Sequence, residues 1–468
     1  MATLTLLIAL VFATWFVVLD CKRRPSLSAA VWIPTIVVAI LSSRSVSLWI
    51  HGGGGDVYNE MGNEAATSPI DLAFFVGVIV ISAIVTVRRG VNWAKFLKAN
   101  SAITLFYLYF AFSVAWSNDP IGSAKRVVKD FGMLFVIGLI FTEKDPLQAM
   151  RAVYIRSAAV LIPLSIVFIR YFPAYGRVYA RNGDTTVTGV TTQKNTLGEI
   201  ILIFALFFLW DYLEARKSNP KSRWRSIPWD HVLLGIMGLW LLHASQSKTA
   251  ELCLLIGAFL MIRPRFLCSR AINMGVFIGA LILPWMLFFS QVFSSVIEPI
   301  VEALGRNMTF TGRSSIWQEI TLQTVNPLIG CGFWNFWGGQ GGNTISIALR
   351  TVVPNAHDGY LDIYLDGGFI GLAILFILLI ANGRGLIRRF AKLGRTDSFA
   401  RVSFAVLIVS MVYNLTESTF ARIGLIWFTT LLMIVDFPRK GVEKRVTVMP
   451  LQNTYKSFKR KQAALANR

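Results

Sequence analysis

The chain has 468 residues, 54% hydrophobic and 15% charged, with a mean hydropathy of +0.57. A water-soluble domain carries about a quarter charged residues, so the composition excludes an ordinary soluble protein and points to a membrane. Lys and Arg number 46 against 25 Asp and Glu, a formal charge of +21; in a soluble chain this would suggest nucleic acid, but cytoplasmic loops of multi-pass proteins collect Lys and Arg anyway.

Crossing a hydrocarbon core of about 30 Å takes about 20 apolar residues. In chain order, apolar stretches fall at 2–18, 27–42, 70–87, 101–116, 131–141, 153–169, 196–213, 231–245, 251–262, 271–289, 367–381, 402–413 and 420–435, thirteen in all. The first has no basic residues before it and is followed by CKRRP at 21–25, so it reads as a retained span and not as a cleaved signal. Those at 131–141, 251–262 and 402–413 are short, and are expected to be tilted, re-entrant or extended by polar flanks.

Basic clusters follow alternate stretches, at 21–25, 88–98, 215–225, 263–270, 383–395 and in the tail after Asp436. The positive-inside rule puts these on the cytoplasmic side, with the N-terminus outside and the C-terminus inside. The basic excess is then topology, and nucleic acid drops out as a partner. The outer side receives 43–69, 117–130, 171–195 and 290–366, the last longer than seventy residues. A connection of that length needs a functional reason. The tail reads as a cytoplasmic anchor that can rest on anionic lipid. Cys21, Cys253, Cys268 and Cys331 show neither CxxC spacing nor a neighbouring His cluster, so neither a disulfide scaffold nor a metal site is indicated.

The long outer segment carries FTGRSSIWQE at 310–319, NPLIGCGFWNFW at 326–337 and VPNAHDGYLDIYLDGGFIGL at 353–372. Upstream lie SNDPIGSAKRV at 117–127, TTQKNTLGE at 191–199 and SQSKTAELCLL at 245–255. The glycines of HGGGGD and FWGGQGGN match no P-loop and read as loop flexibility. Asp358, Asp362 and Asp366 recur at i, i+4; on a helix they share a face, which would either meet an acceptor and orient His357 or be solvated. Glu319 is placed for a local pair with Arg313. Of the other histidines, His51, His231 and His243 carry structural or solvated readings.

These strings resemble the O-antigen ligase and Wzy-type polymerase family of bacterial inner membranes. The match lies in Gly312, Arg313 and Trp317; in Pro327, Gly330, Gly332 and Phe336; and in Asn355, Ala356, His357, Leu361 and Gly368. The KN string at Lys194 is more similar to exopolysaccharide-production polymerases than to lipopolysaccharide ligases, and Asp358 and Lys248 depart from the common ligase pattern. The resemblance implies an all-α polytopic membrane protein with about 11–13 transmembrane helices, an even number near twelve being usual, and a large periplasmic loop acting as lid. The chain divides into N-terminal helices at 1–116, a membrane core at 117–289, the periplasmic loop at 290–366, C-terminal helices at 367–435 and a basic tail at 436–468.

It further implies a metal-independent glycosyltransferase of the bacterial inner membrane, without cofactor, that takes a polyprenyl-diphosphate-linked oligosaccharide at the periplasmic face. Membrane lipids would surround it, and a chain-length regulator or export machinery is open as partner. A diphosphate at headgroup level needs fixed cations, and the arginine fork suits phosphate oxygens. His357 is the expected general base, with Arg313 beside it. Lys194, Lys248 and Arg181 are expected at the diphosphate, with Arg177 and Arg350 as weaker candidates, and Asp358, Asn355 and Trp317 support the acceptor side. Two alternatives stay open: a ligase moving finished glycan onto a lipid A core, and a flippase of the same lipid-linked glycan.

Overall fold

A computed structural model describes residues 1–51, 68–179, 185–218, 229–263, 269–288, 313–393 and 397–437. Helices dominate them: α1 (Ala2–Arg23), α2 (Trp32–Leu41), α3 (Val46–His51), α4 (Pro69–Arg88), α5 (Trp93–Ala99), α6 (Ser101–Ser113), α7 (Pro120–Phe141), α8 (Pro146–Tyr171) and the short α9 (Pro173–Gly176). A hairpin of β1 (Arg177–Tyr179) and β2 (Thr185–Val187) pairs Val178 with Thr186 in antiparallel register. There follow α10 (Lys194–Ser218), α11 (Trp229–Ser245), α12 (Lys248–Ile262), α13 (Arg270–Phe288), α14 (Arg313–Thr321), α15 (Asn335–Gly338), α16 (Gln340–Ala348), α17 (Gly359–Leu393), α18 (Ser398–Tyr413) and α19 (Leu425–Ile434).

Local chemistry explains several starts. Ser68-Pro69, Asp119-Pro120 and Asp145-Pro146 each place a capping oxygen before a proline at the first helical position; Asp119 accepts from Gly122 N at 2.9 Å and Asp145 from Gln148 N at 3.1 Å. The cap fills a backbone donor that the helix leaves open, and proline lacks the donor that would be wasted there.

Each of the thirteen apolar stretches contains helix, although 420–435 becomes helical only from Leu425. Among the described residues five helices, α1, α4, α8, α10 and α17, are long and apolar enough to cross a membrane by length and composition, and a sixth span arises if α5 and α6, bent by 98°, are taken as one. The short stretches turn out to be extended by polar flanks: 131–141 belongs to a helix starting at Pro120, 251–262 to one starting at Lys248, and 402–413 to one starting at Ser398. In α7 the flank holds buried Arg126 and Asp130, and Tyr107 and Trp427 both donate to Asp130, at 3.0 and 3.2 Å. Apolar counting stops at such residues; a helix facing protein need not.

Ion pairs fix which helix ends meet. Asp211 near the end of α10 accepts from Arg24 just after α1 (2.8 Å), Arg151 early in α8 (3.2 Å) and His231 early in α11 (2.9 Å), and Asp20 pairs with Arg156 at 2.7 Å. Glu143, after α7, pairs with Arg89 after α4 at 2.7 Å. Those ends therefore lie together. At the opposite end the starts of α10, α12 and α17 meet the 414–424 connection between α18 and α19 through Asn195 to Glu417, Thr249 to Thr416, and Gly359 N to Asn414 O.

The described part of the long segment, 313–366, is a packed cap and not an open loop. Ile320, Phe336, Ile345, Val353, Ala356 and Leu365 form their own apolar cluster against Trp317 and Trp337. The glycines read as flexible at 338–342 pack tightly: a Cβ on Gly341 would lie 2.7 Å from the Phe336 ring and one on Gly342 2.4 Å from Trp337 O. HGGGGD lies, beyond His51, outside the described residues. The helix α17 starts at Gly359, inside the segment expected to end at 366, and runs on with a break at Gly368 (φ 62°, ψ −164°).

That break explains two of the sequence motifs. The carbonyls of Leu365 and Asp366 accept from Cys331 N (3.0 Å) and Gly332 N (2.9 Å), while Phe369 N and Ile370 N donate to Pro327 O (2.8 Å) and Leu328 O (3.1 Å). The 326–332 turn thus satisfies the backbone groups that the break exposes, as buried groups require. A Cβ on Gly368 would sit 2.2 Å from Leu328 C, and one on Gly330 2.5 Å from Asp366 C.

Candidate active site

The site lies where the cap meets the 414–424 connection. His357 has φ +50°, a left-handed conformation, and its N–H donates to Asn355 Oδ1 at 2.9 Å. Trp317 Nε1 of α14 donates to Ala356 O at 2.9 Å. Asn355 and Trp317 therefore build the turn that presents His357 at the mouth of the bundle, and such strain outside glycine is affordable only where its surroundings fix it.

The imidazole meets Glu417, whose Oε2 lies 3.3 Å from His357 Nδ1. Glu417 Oε1 accepts from Arg313 Nη2 at 2.6 Å and from Asn195 Nδ2 at 2.7 Å. Glu417 is 8% exposed. Burial alone would raise its carboxyl, but the His357 hydrogen bond and the Arg313 charge hold it below the usual glutamate range. The connection is itself rigid, since Asn414 Oδ1 accepts from Thr419 N and Phe420 N and its Nδ2 donates to Ser410 O.

Thus Arg313 and His357, far apart in sequence, share one carboxylate, and the expected local pair of Arg313 with Glu319 is replaced by the pair with Glu417. Lys194 precedes Asn195 at the start of α10 and makes no ion pair or side-chain hydrogen bond among the described residues. Lys248 starts α12 beside Thr249, which bonds Thr416, yet its own Nζ goes to Glu251 at 2.9 Å. Arg181 lies outside the described residues. Arg177 Nε donates to Ile169 O, and Arg350 is exposed. His231 is a buried structural partner of Asp211, while His243 and His51 are exposed.

Asp358 caps α17, its Oδ1 accepting from Tyr360 N (2.9 Å) and Leu361 N (3.0 Å), and burial pushes its carboxyl up to about 7. The solvated-face reading of the aspartates does not hold. Asp362 and Asp366 are each 1% exposed and both face Arg422 Nη2, at 3.3 and 3.2 Å. Arg422 lies 4.5 Å from the Trp334 ring centre, and Trp337 Nε1 donates to Asp362 Oδ1 at 2.8 Å. Their spacing did share a helix face, but that face meets Arg422 of the 414–424 connection. Cys331 is no nucleophile candidate, because burial raises its thiol well above its ordinary value and its Sγ donates to Leu365 O.

Sequence reasoning missed Glu417, Arg422 and Asn195. The available signal was NLTESTFARIG at 414–424, where one Glu and one Arg interrupt two apolar stretches.

The fold and site define a multi-pass all-α membrane protein with a histidine, glutamate and arginine centre at one end of its bundle. Residues 231–376 match the family model described as O-Antigen ligase, Wzy_C. The chain is also 24% identical over 335 residues to the exopolysaccharide production protein ExoQ of Rhizobium meliloti (strain 1021), covering 67% of this chain and 70% of that one. The resemblance expected from the motifs is therefore borne out. The matched segment contains Lys248, Arg313, Trp317, Asn355, His357 and Asp358, whereas Asn195, Glu417 and Arg422 lie outside it.

Proposed function

We propose that the protein is a membrane glycosyltransferase that polymerises polyprenyl-diphosphate-linked oligosaccharide units at the periplasmic face in exopolysaccharide or O-antigen production. The observation that carries this reading is the meeting of His357 and Arg313 on Glu417. If Nδ1–H is donated to Glu417, the Nε2 lone pair is left to take a proton. An acceptor hydroxyl then attacks the anomeric carbon, its proton passes to Nε2, and the bond to the diphosphate breaks. Charge builds on the leaving oxygen, where preorganised cations lower the barrier. On this reading Arg313, through the donors beyond its Nη2 contact with Glu417, and Lys194, which makes no ion pair among the described residues, would serve that role; Lys248 would join only by exchanging Glu251 for the phosphate, and Arg181 is assigned by resemblance. On this reading the cations supply the charge compensation that a metal gives elsewhere.

The test is complementation of a deletion strain, with membrane insertion verified for each variant. His357→Ala should abolish polymer, while Asp358→Asn, which keeps a capping oxygen, should retain it. Polymer of normal length from H357A, or loss of polymer in D358N alone, would overturn the assignment of His357 as base. The matched family's name favours a second reading, transfer of finished glycan onto a lipid A core. The lipid-linked glycan that accumulates in the deletion strain separates the two: single repeat units mean polymerase, full-length chains mean ligase.

A further inference from the structure

At the end of the bundle away from His357, α13 and α17 cross where Phe277 covers Gly383; a Cβ there would lie 2.3 Å from the ring. Beyond that contact lies a cavity of about 260 Å³ lined by Arg270 and Met274 of α13 and by Arg384, Ile387 and Arg388 of α17. Ile387 is fully buried and Met274 half-buried, so the floor is apolar and the mouth cationic. None of the described lining residues is acidic.

Arg23, Arg24, Arg89, Arg151 and Arg156 all find carboxylates, and Arg389 pairs with Asp397 at 2.8 Å. Arg270, Arg384 and Arg388 have no ion pair or side-chain hydrogen bond among the described residues. Three like charges around one cavity repel unless an anion joins them.

The helices also extend the cavity into a track. On α13 the i, i+4 series Arg270, Met274, Ile278, Ile282 runs along one ridge, with Ile278 44% and Ile282 48% exposed. On α17 a ridge at steps of four, three and four runs Arg388, Arg384, Ala381, Ile377, with Ile377 49% exposed. Arg384 lies sixteen positions after the break at Gly368, about 24 Å along a helix, which puts the arginines near headgroup depth on the far side from the active site.

We propose that this cavity binds the phosphodiester headgroup of an anionic phospholipid, with an acyl chain lying along the two apolar ridges. Arginine forks match phosphate oxygens bidentately, and basic pockets between membrane helices are suited to lipid headgroups. The volume falls below the range of about 300–1,000 Å³ that holds a whole small-molecule ligand, so it accommodates a headgroup and leaves the chains outside.

Native mass spectrometry of the full-length protein, purified in neutral detergent and titrated with phosphatidylglycerol or with phosphatidylcholine of the same chains, tests this. The wild type should retain phosphatidylglycerol over phosphatidylcholine, and an Arg384→Gln, Arg388→Gln double variant should lose about tenfold of that retention. Arg389→Gln, whose arginine is already paired, should not. Equal retention of the two lipids by the wild type overturns the proposal without recourse to any variant. So does a folded double variant that holds phosphatidylglycerol unchanged, or full displacement by equimolar inorganic phosphate, which would mark a phosphate site instead.

Discussion

Glu417 carries more of the site than any residue with a motif. A buried carboxylate is costly unless donors surround it, and here Arg313, Asn195 and His357 all point at it. Glutamine in its place would remove the charge that orients His357 and balances Arg313. Glu417→Gln is expected to reduce turnover by about 100-fold, with a smaller change in donor KM and partial recovery in Glu417→Asp. Turnover within about threefold of wild type would show that the carboxylate only fastens the cap. His357 and Arg313 were legible in the sequence because they stand among unusual residue types in a long outer segment. Glu417 was not, because its string is short and its partners lie 60 and 104 positions away.

At the scale of elements, α17 is decided by one residue. Gly368 interrupts a helix that composition would carry through, and the 326–332 turn takes up the freed backbone groups. Gly368→Ala combines a positive φ with a backbone clash, and should cost about 3 kcal/mol or more, seen as a lower melting temperature in detergent. Gly385→Ala lies in the same helix with open space around its Cβ position and should be neutral or slightly stabilising. Equal melting temperatures would mean the break is not required. The glycines of the motifs were visible as a pattern, but their purpose was not. Apolar counting finds the middle of a span, and it truncated α7 because buried Arg126 and Asp130 look like solvent residues in one dimension.

For the whole molecule, the polar network around Asp211 holds α1, α8, α10 and α11 in register at the end opposite His357. Asp211→Ala leaves Arg24 and Arg151 without that anion, Arg24 nearly buried, and is expected to cost about 3–5 kcal/mol of stability. Asp230→Ala breaks a pair whose arginine side chain is 45% exposed, and should cost under about 1 kcal/mol. Denaturant midpoints in micelles that fail to separate the two variants would refute the network's role. No single stretch of sequence contains this network: its members come from four helices and sit at their ends, where charged residues are otherwise read as topology signals.

Composition and apolar spacing alone determined that the chain is a multi-pass helical membrane protein, because the cost of exposing backbone to lipid leaves few other solutions. The ordered strings around Arg313 and His357 also sufficed to indicate the family, since both residue type and spacing survive in one dimension. Only the tertiary structure decided which carboxylate joins them, which cations are already paired, and why the motif glycines stand where they do. Most of those answers depend on contacts between segments separated along the chain, and hydrogen bonds and ion pairs act over a few ångströms of space whatever that separation is.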